Sequence, residues 1–126
     1  MRLERHVVGG CPVISAVETL EVNVGNCEEF RRRFAALLGA ADRSVILDAE
    51  RIGFFDSAGM GSLLSLQKLL RARQGQLAVA ALNRATRAVF GMVGFDVVFP
   101  TFADVASAVG ALRGEASEAA TPKGGR

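Results

Sequence analysis

The spacing of apolar positions changes several times along the chain, and each change predicts a boundary between elements. Residues 2–8, RLERHVV, alternate loosely and predict a strand, and Gly9-Gly10 predicts a turn after it. CPVISAVETL, from Cys11, predicts a second strand that closes an antiparallel hairpin with the first. Pro12 has no N–H to give to a ladder, which suits a strand start or an edge. The period then lengthens. In NCEEFRRRFAALLGA, Phe30, Phe34, Leu37 and Leu38 fall at i, i+4, i+7 and i+8, one face of a helix. Asn26 reads as its N-cap, Glu28 and Glu29 suit the positive end of its dipole, and Gly39 reads as its stop. Arg31, Arg32 and Arg33 then form a solvated face.

The second half repeats the alternation. SVILDA, from Ser44, is a short apolar run of the kind found in buried central strands. AERIGFF reads as a loop, and from Ala58 a helix follows, with Met60, Leu63, Leu64 and Leu70 on its pattern and Leu66 and Leu69 beside it, ending near Arg73. QLAVAAL predicts another buried strand. RATRAVFGMVG predicts a short helix with Ala85, Val89 and Met92 along one face. VVFP predicts a short last strand, and FADVASAVGALR a last helix with Phe102, Val105, Val109 and Leu112 as its apolar face. From Gly114 the chain has no periodicity and is rich in small and polar residues, which predicts a disordered tail over 114–126 behind one domain over 1–113. After the opening hairpin, strands and helices alternate. That order predicts an α/β fold with a mixed, mainly parallel sheet.

Composition narrows the function classes. Half of the 126 residues are hydrophobic and 22% are charged, enough for one packed core. The net charge of +2 is too small for a dedicated nucleic-acid binder, and a chain with no Trp or Tyr offers no evident base-stacking platform. No apolar run approaches the ~20 residues of a membrane span and no signal peptide is visible, so a cytoplasmic location is expected. Cys11 and Cys27 lack CxxC spacing and read as free thiols. His6 is the only histidine and lies in the first predicted strand, so neither a metal site nor a cofactor is expected.

The chemistry concentrates in GFFDSAGMGSLL, Gly53 to Leu64. Asp56 and Ser57 stand at a helix start, where either side chain can cap free backbone N–H groups. Gly59 and Gly61 in the first turn cost about 1 kcal/mol each against alanine, so a chain seeking only a stable helix would not choose them. Glycine there lets another surface, or a phosphate, approach the backbone. Three readings follow: a cap with close packing, an anion site at a helix N-terminus, or a serine that accepts a phosphoryl group. No GxxxxGK[ST] or GxGxxG fingerprint accompanies the stretch. A phosphoryl group on Ser57 would add about −1.5 to −2 charges, tolerable at a helix N-terminus but not to a partner docked there.

VILDAERIGFFDSAGMGSLLSLQKLL resembles the core of the STAS domain of bacterial anti-sigma factor antagonists: a buried strand ending in an acid, a loop, then an Asp-Ser-small-Gly-apolar-Gly turn that opens a helix. GQLAVAALNRATRAVFGMVGFDVVFPTFADVASAV resembles the part of the domain that follows, and the likeness spans about Val13 to Val109. The resemblance implies a single STAS-like domain with about four helices packed mainly on one face of the sheet. It implies a non-enzymatic binding module that engages an anti-sigma factor serine kinase, frees a sigma factor, is switched off by phosphorylation and is reset by a metal-dependent serine phosphatase. Carried over, Ser57 is the phosphoacceptor, Asp56 shapes the turn, and Ala58, Gly59, Met60 and Gly61 belong to the docking surface. Glu21, Asn23 and Asn83 are further expected partner contacts. The chain departs from the family where a Gly-Asp/Glu-Leu-Asp turn is common: Glu18 replaces the glycine and Glu21 is the last acid. The alternative implied role is an accessory STAS subunit of a transporter or of a larger signalling assembly.

Overall fold

A computed structural model describes the backbone of residues 1–120 and the side chains through Gly114. Strands β1 (Leu3–Val8) and β2 (Cys11–Ala16) form the antiparallel hairpin, with Gly9 and Gly10 both at positive φ in the turn. A short strand β3 (Leu20–Val22) precedes helix α1 (Cys27–Ala36). Then come β4 (Val45–Asp48), β5 (Ile52–Phe55), α2 (Ser57–Ala72), β6 (Leu77–Ala80), α3 (Arg84–Met92), the single turn α4 (Phe95–Val98), β7 (Thr101–Phe102) and α5 (Val105–Ala120). Five strands make one sheet in the order β1-β2-β4-β6-β7, parallel except at the hairpin. β3 and β5 pair with each other, in parallel, as a separate ribbon.

Alternation along the buried strands gives the sheet two apolar faces. Ile14, Val45, Leu47, Leu77 and Val79 join the larger core with Phe30, Phe34, Leu63, Leu66 and Phe90 from α1, α2 and α3. Val13, Ile46, Ala78 and Ala80 face the opposite way and are covered by Ala108, Val109 and Leu112 of α5. The expected bias of helices to one face is therefore present, with α5 alone on the other. Six phenylalanines form a continuous chain of ring contacts through the larger core: Phe34, Phe30, Phe55, Phe90, Phe99 and Phe95, neighbouring centroids lying 5.4–6.3 Å apart.

Buried Gln67 ties α2 to the sheet. Its Oε1 accepts from Leu77 N at 2.6 Å, and its Nε2 donates to Leu77 O and Val98 O at 3.1 and 2.9 Å. In the loop before β4 the Arg5 guanidinium grips the Asp42 carboxylate, which also accepts from Gly39 N at 2.7 Å. The Arg5 hydrogen bonds, helped by that backbone N–H, hold the Asp42 carboxyl below its ordinary pKa.

The structure corrects several expectations. The stretch after Asp48 is not simply a loop: Ile52–Phe55 is β5, with Ile52 and Phe55 buried. The second predicted strand is broken, ending at Ala16 and resuming as β3. α1 ends at Ala36, before Gly39. VVFP is not a strand; Val97 and Val98 lie in α4, where the i, i+4 pair Phe95 and Phe99 packs across a helical turn, and the last strand is Thr101–Phe102. In α3 the buried side chains are Thr86 and Phe90, whereas Met92 is 79% exposed. Residues 114–120, expected in an irregular tail, continue α5 as its Ala- and Glu-containing sequence permits; residues 121–126 of that tail lie outside the described residues. Cys11 and Cys27 are free thiols.

Candidate functional site

Asp56 organises the end of the ribbon. Its backbone is extended, which places it as the N-cap of α2, and its Oδ1 accepts from Gly59 N at 2.8 Å. Its Oδ2 accepts from Val24 N at 3.0 Å, and its own N–H donates to Val22 O at 3.1 Å. One residue thus joins the helix N-terminus, β3 and the loop before α1. The cap reading is correct for Asp56, and its carboxylate has two backbone donors.

Ser57 is the first residue of α2 and is exposed. Its backbone N–H and that of Ala58 belong to the first helical turn, where no intrahelical acceptor exists. The hydroxyl therefore stands at the positive end of a 16-residue helix, open to a partner, beside a carboxylate already committed to the backbone.

The two glycines separate. A Cβ at Gly59 would lie 2.3 Å from Val22 O and 3.0 Å from Val22 C, so the surface that approaches this glycine is the chain's own β3. A Cβ at Gly61 would meet nothing within 4 Å, and Gly61 is exposed. Met60 is 8% exposed and belongs to the core. Of the expected docking residues on α2, the structure leaves Ser57 and Gly61 exposed and Ala58 half-buried, with Gly59 and Met60 inside. A shallow groove of about 150 Å³ runs between α1 and α2 past Cys27, Arg31, Ala58, Gly61 and Ser65.

The loop before α1 comes to the same place. Asn23 N donates to Asn26 Oδ1 at 2.8 Å, Gly25 N to Asn23 Oδ1 at 2.9 Å, and Asn26 Nδ2 to Glu21 O at 2.7 Å. Asn26 is the N-cap residue of α1, but its side chain closes this loop and does not cap the helix. Glu21 is exposed on the ribbon's outer side, where a Cβ on Gly53 would come within 3.9 Å of its Cγ. Asn83 caps α3 through Thr86 N at 2.8 Å and donates to Gly53 O at 2.8 Å. Gly53 and Asp56 are three positions apart, about 10 Å along an extended chain, so Asn83 flanks the site from the far end of β5. The ribbon therefore gathers Glu21, Asn23, Asp56 and Ser57 at one end and Asn83 beside it. Sequence reasoning missed Val24, which is 79% exposed; its only sequence signal is an apolar residue inside a polar turn.

Among the described residues, no group of three or more His, Cys, Asp or Glu is placed to hold a metal ion, and no helix is long and apolar enough to cross a membrane.

An extended acid capping a helix that opens on an exposed serine, a mixed sheet and a separate ribbon define the class. The STAS domain family model matches residues 4–108, and the chain belongs to that family. A candidate anti-sigma factor antagonist, BtrV of Bordetella bronchiseptica, is 37% identical over 79 residues, covering 63% of this chain and 68% of BtrV. The Bacillus cell-fate determinant SpoIIAA in its phosphorylated form superposes with a TM-score of 0.59 at 21% identity, covering 88% of this chain and 99% of SpoIIAA. A sulfate transporter family protein from Wolinella succinogenes superposes with a TM-score of 0.69 at 15% identity, covering 86% of this chain and 88% of that one. Both superpositions show the fold alone, so a role has to be argued from the site.

Proposed function

We propose that this chain is an anti-sigma factor antagonist switched at Ser57. It binds an anti-sigma factor that is also a serine kinase and thereby frees a sigma factor; phosphorylation of Ser57 ends that binding, and a metal-dependent serine phosphatase restores it. The observation that carries the reading is the placement of Ser57: exposed, first in α2, and next to an acid whose two carboxylate oxygens are already taken by backbone N–H groups. The likeness to BtrV and the phosphorylated form known for SpoIIAA support it.

In the transfer, the Ser57 hydroxyl oxygen attacks the γ-phosphorus of ATP held by the kinase. The new P–O bond forms as the bond to ADP breaks, and the hydroxyl proton passes to a basic group of the kinase or to water. Ser57 passes from neutral to about −1.5 to −2. The N-terminal dipole of α2 accommodates that charge within the domain. A partner docked over the same turn faces it beside the Asp56 carboxylate and loses contact.

Incubation with the cognate kinase and ATP, followed by intact-mass measurement and peptide mapping, tests the reading. Phosphate is expected on Ser57. Ser57→Ala should bind the kinase and take no phosphate, and Ser57→Asp should bind more weakly. Phosphate on another residue, or none under conditions where the kinase is active, overturns it.

A further inference from the structure

Val24 is the most exposed large apolar side chain near Ser57, at 79%, while Val22, two residues earlier, is completely buried. Single exposed valines are common on protein surfaces and mean little in isolation. This one differs in how it is held. Its own N–H is bound by the carboxylate of Asp56, the residue immediately before the proposed phosphoacceptor. On either side of it, Asn23 N, Gly25 N, Asn26 N and Cys27 N all donate within the loop, to Asn26 Oδ1, Asn23 Oδ1, Asn23 O and Asn23 O. The backbone N–H groups of the turn are thus spent on fixing its shape, and its apolar side chain is left largely exposed. Such an arrangement contributes nothing to the core. It does lower the ordering cost of a contact made with another molecule.

We infer that Val24 is an apolar anchor for the kinase that modifies Ser57, and that Asp56 is the residue that positions it. The inference rests on the proposed function and adds to it a chemical requirement on the partner: an apolar depression beside its phosphotransfer centre, one loop's width from the ATP γ-phosphate. Continuity with the phosphoacceptor selects this occupant, because a kinase that reaches the Ser57 hydroxyl must cover the loop to which Asp56 is bonded. The same linkage gives Asp56 two roles, capping α2 through Oδ1 and presenting Val24 through Oδ2.

The test measures binding of the full chain to the purified cognate anti-sigma kinase by calorimetry, with thermal unfolding of each variant as control. Val24→Ala is expected to weaken binding about tenfold, the effect of losing most of one buried valine side chain. Val24→Thr, which keeps the branched shape but not the apolar surface, should also weaken it. Both should unfold at nearly the wild-type temperature, as exposed positions do. In an Asp56→Ala background the loop is no longer held, so Val24→Ala should cost clearly less than tenfold. A purely structural role for Asp56 would leave the two effects additive. Wild-type affinity in both Val24 variants, or full additivity with Asp56→Ala, overturns the inference and leaves the antagonist reading intact. A wild-type chain that neither binds nor accepts phosphate overturns the antagonist reading, and this inference with it.

Discussion

Substituting alanine at Gly59 and at Gly61 separates internal packing from an open surface within one helical turn. Both changes replace glycine by a better helix former, a gain of up to about 1 kcal/mol at either site. At Gly61 nothing opposes it, because a Cβ there meets no atom within 4 Å. At Gly59 the new carbon would sit 2.3 Å from Val22 O. A carbon–oxygen contact needs roughly 1 Å more, and overpacking of this kind typically costs about 1–3 kcal/mol. Relief by moving Val22 is expensive, since the same carbonyl accepts the Asp56 N–H at 3.1 Å and losing that bond costs about 1 kcal/mol. Gly59→Ala should therefore destabilise by about 2 kcal/mol, and Gly61→Ala should stabilise by about 0.5–1 kcal/mol. For a chain of this size, 1 kcal/mol corresponds to about 4 °C in melting temperature. Urea unfolding followed by circular dichroism, together with calorimetry, should place the two variants about 10 °C apart in Tm on opposite sides of the wild type. If Gly59→Ala melts at or above the wild-type temperature, the tight approach of α2 to β3 is not what excludes a side chain there, and the packing argument fails.

Two further outcomes follow from polar side chains that tie elements together. Gln67→Leu keeps the volume but strips the Gln67 partner from Leu77 N and Leu77 O, while Val98 O keeps its bond from Arg71, so a loss of about 2 kcal/mol is expected in urea unfolding; an unchanged midpoint would mean that the Leu77 groups find other partners. Asp42→Asn should cost about 1–2 kcal/mol at neutral pH by weakening the Arg5 grip. The Asp42 carboxyl is held below its ordinary value of 3.8, so its contribution is present above that value and is lost as pH falls through the lower folded-state pKa. The gap between wild type and variant, measured by urea unfolding across pH, should be constant near neutrality and close in acid; a gap that widened there would contradict the assignment.

The elements that sequence reading located well are those whose apolar pattern is decided by one large surface. Val45–Asp48 and Leu77–Ala80 are buried on both faces, and their unbroken apolar runs say so. The ribbon was hard to see because it is short and faces two environments. In β5, Ile52 and Phe55 point inward while Gly53 and Phe54 are exposed, a pattern neither alternating nor continuous. The β-branched residues of VVFP suggested a strand, yet packing of Phe95 against Phe90 and Phe99 outweighed that preference. At the site, Asp56 and Ser57 were legible from capping chemistry and from the family motif. The division of labour between Gly59 and Gly61 was not, since it depends on where β3 passes, and β3 lies more than thirty residues earlier in the chain. The exposure of Val24 was hidden for the same reason: no local pattern reveals that Asp56 reaches back to hold its N–H.

The lone helix on the second face of the sheet has a consequence for how the molecule comes into being. Val13, Ile46 and Ala78 are covered by Ala108, Val109 and Leu112, so the surface made by the early strands receives its cover from residues translated about 30 to 100 positions later. At ~5–20 residues per second, Val13 waits at least several seconds after its own synthesis before α5 can reach it. During that interval the nascent sheet can close its larger core, because α1 and α2 lie between the strands they cross, while its other side stays bare. The small side chains of Ala78 and Ala80 on that side limit how much apolar surface is offered to a ribosome-bound neighbour in the meantime.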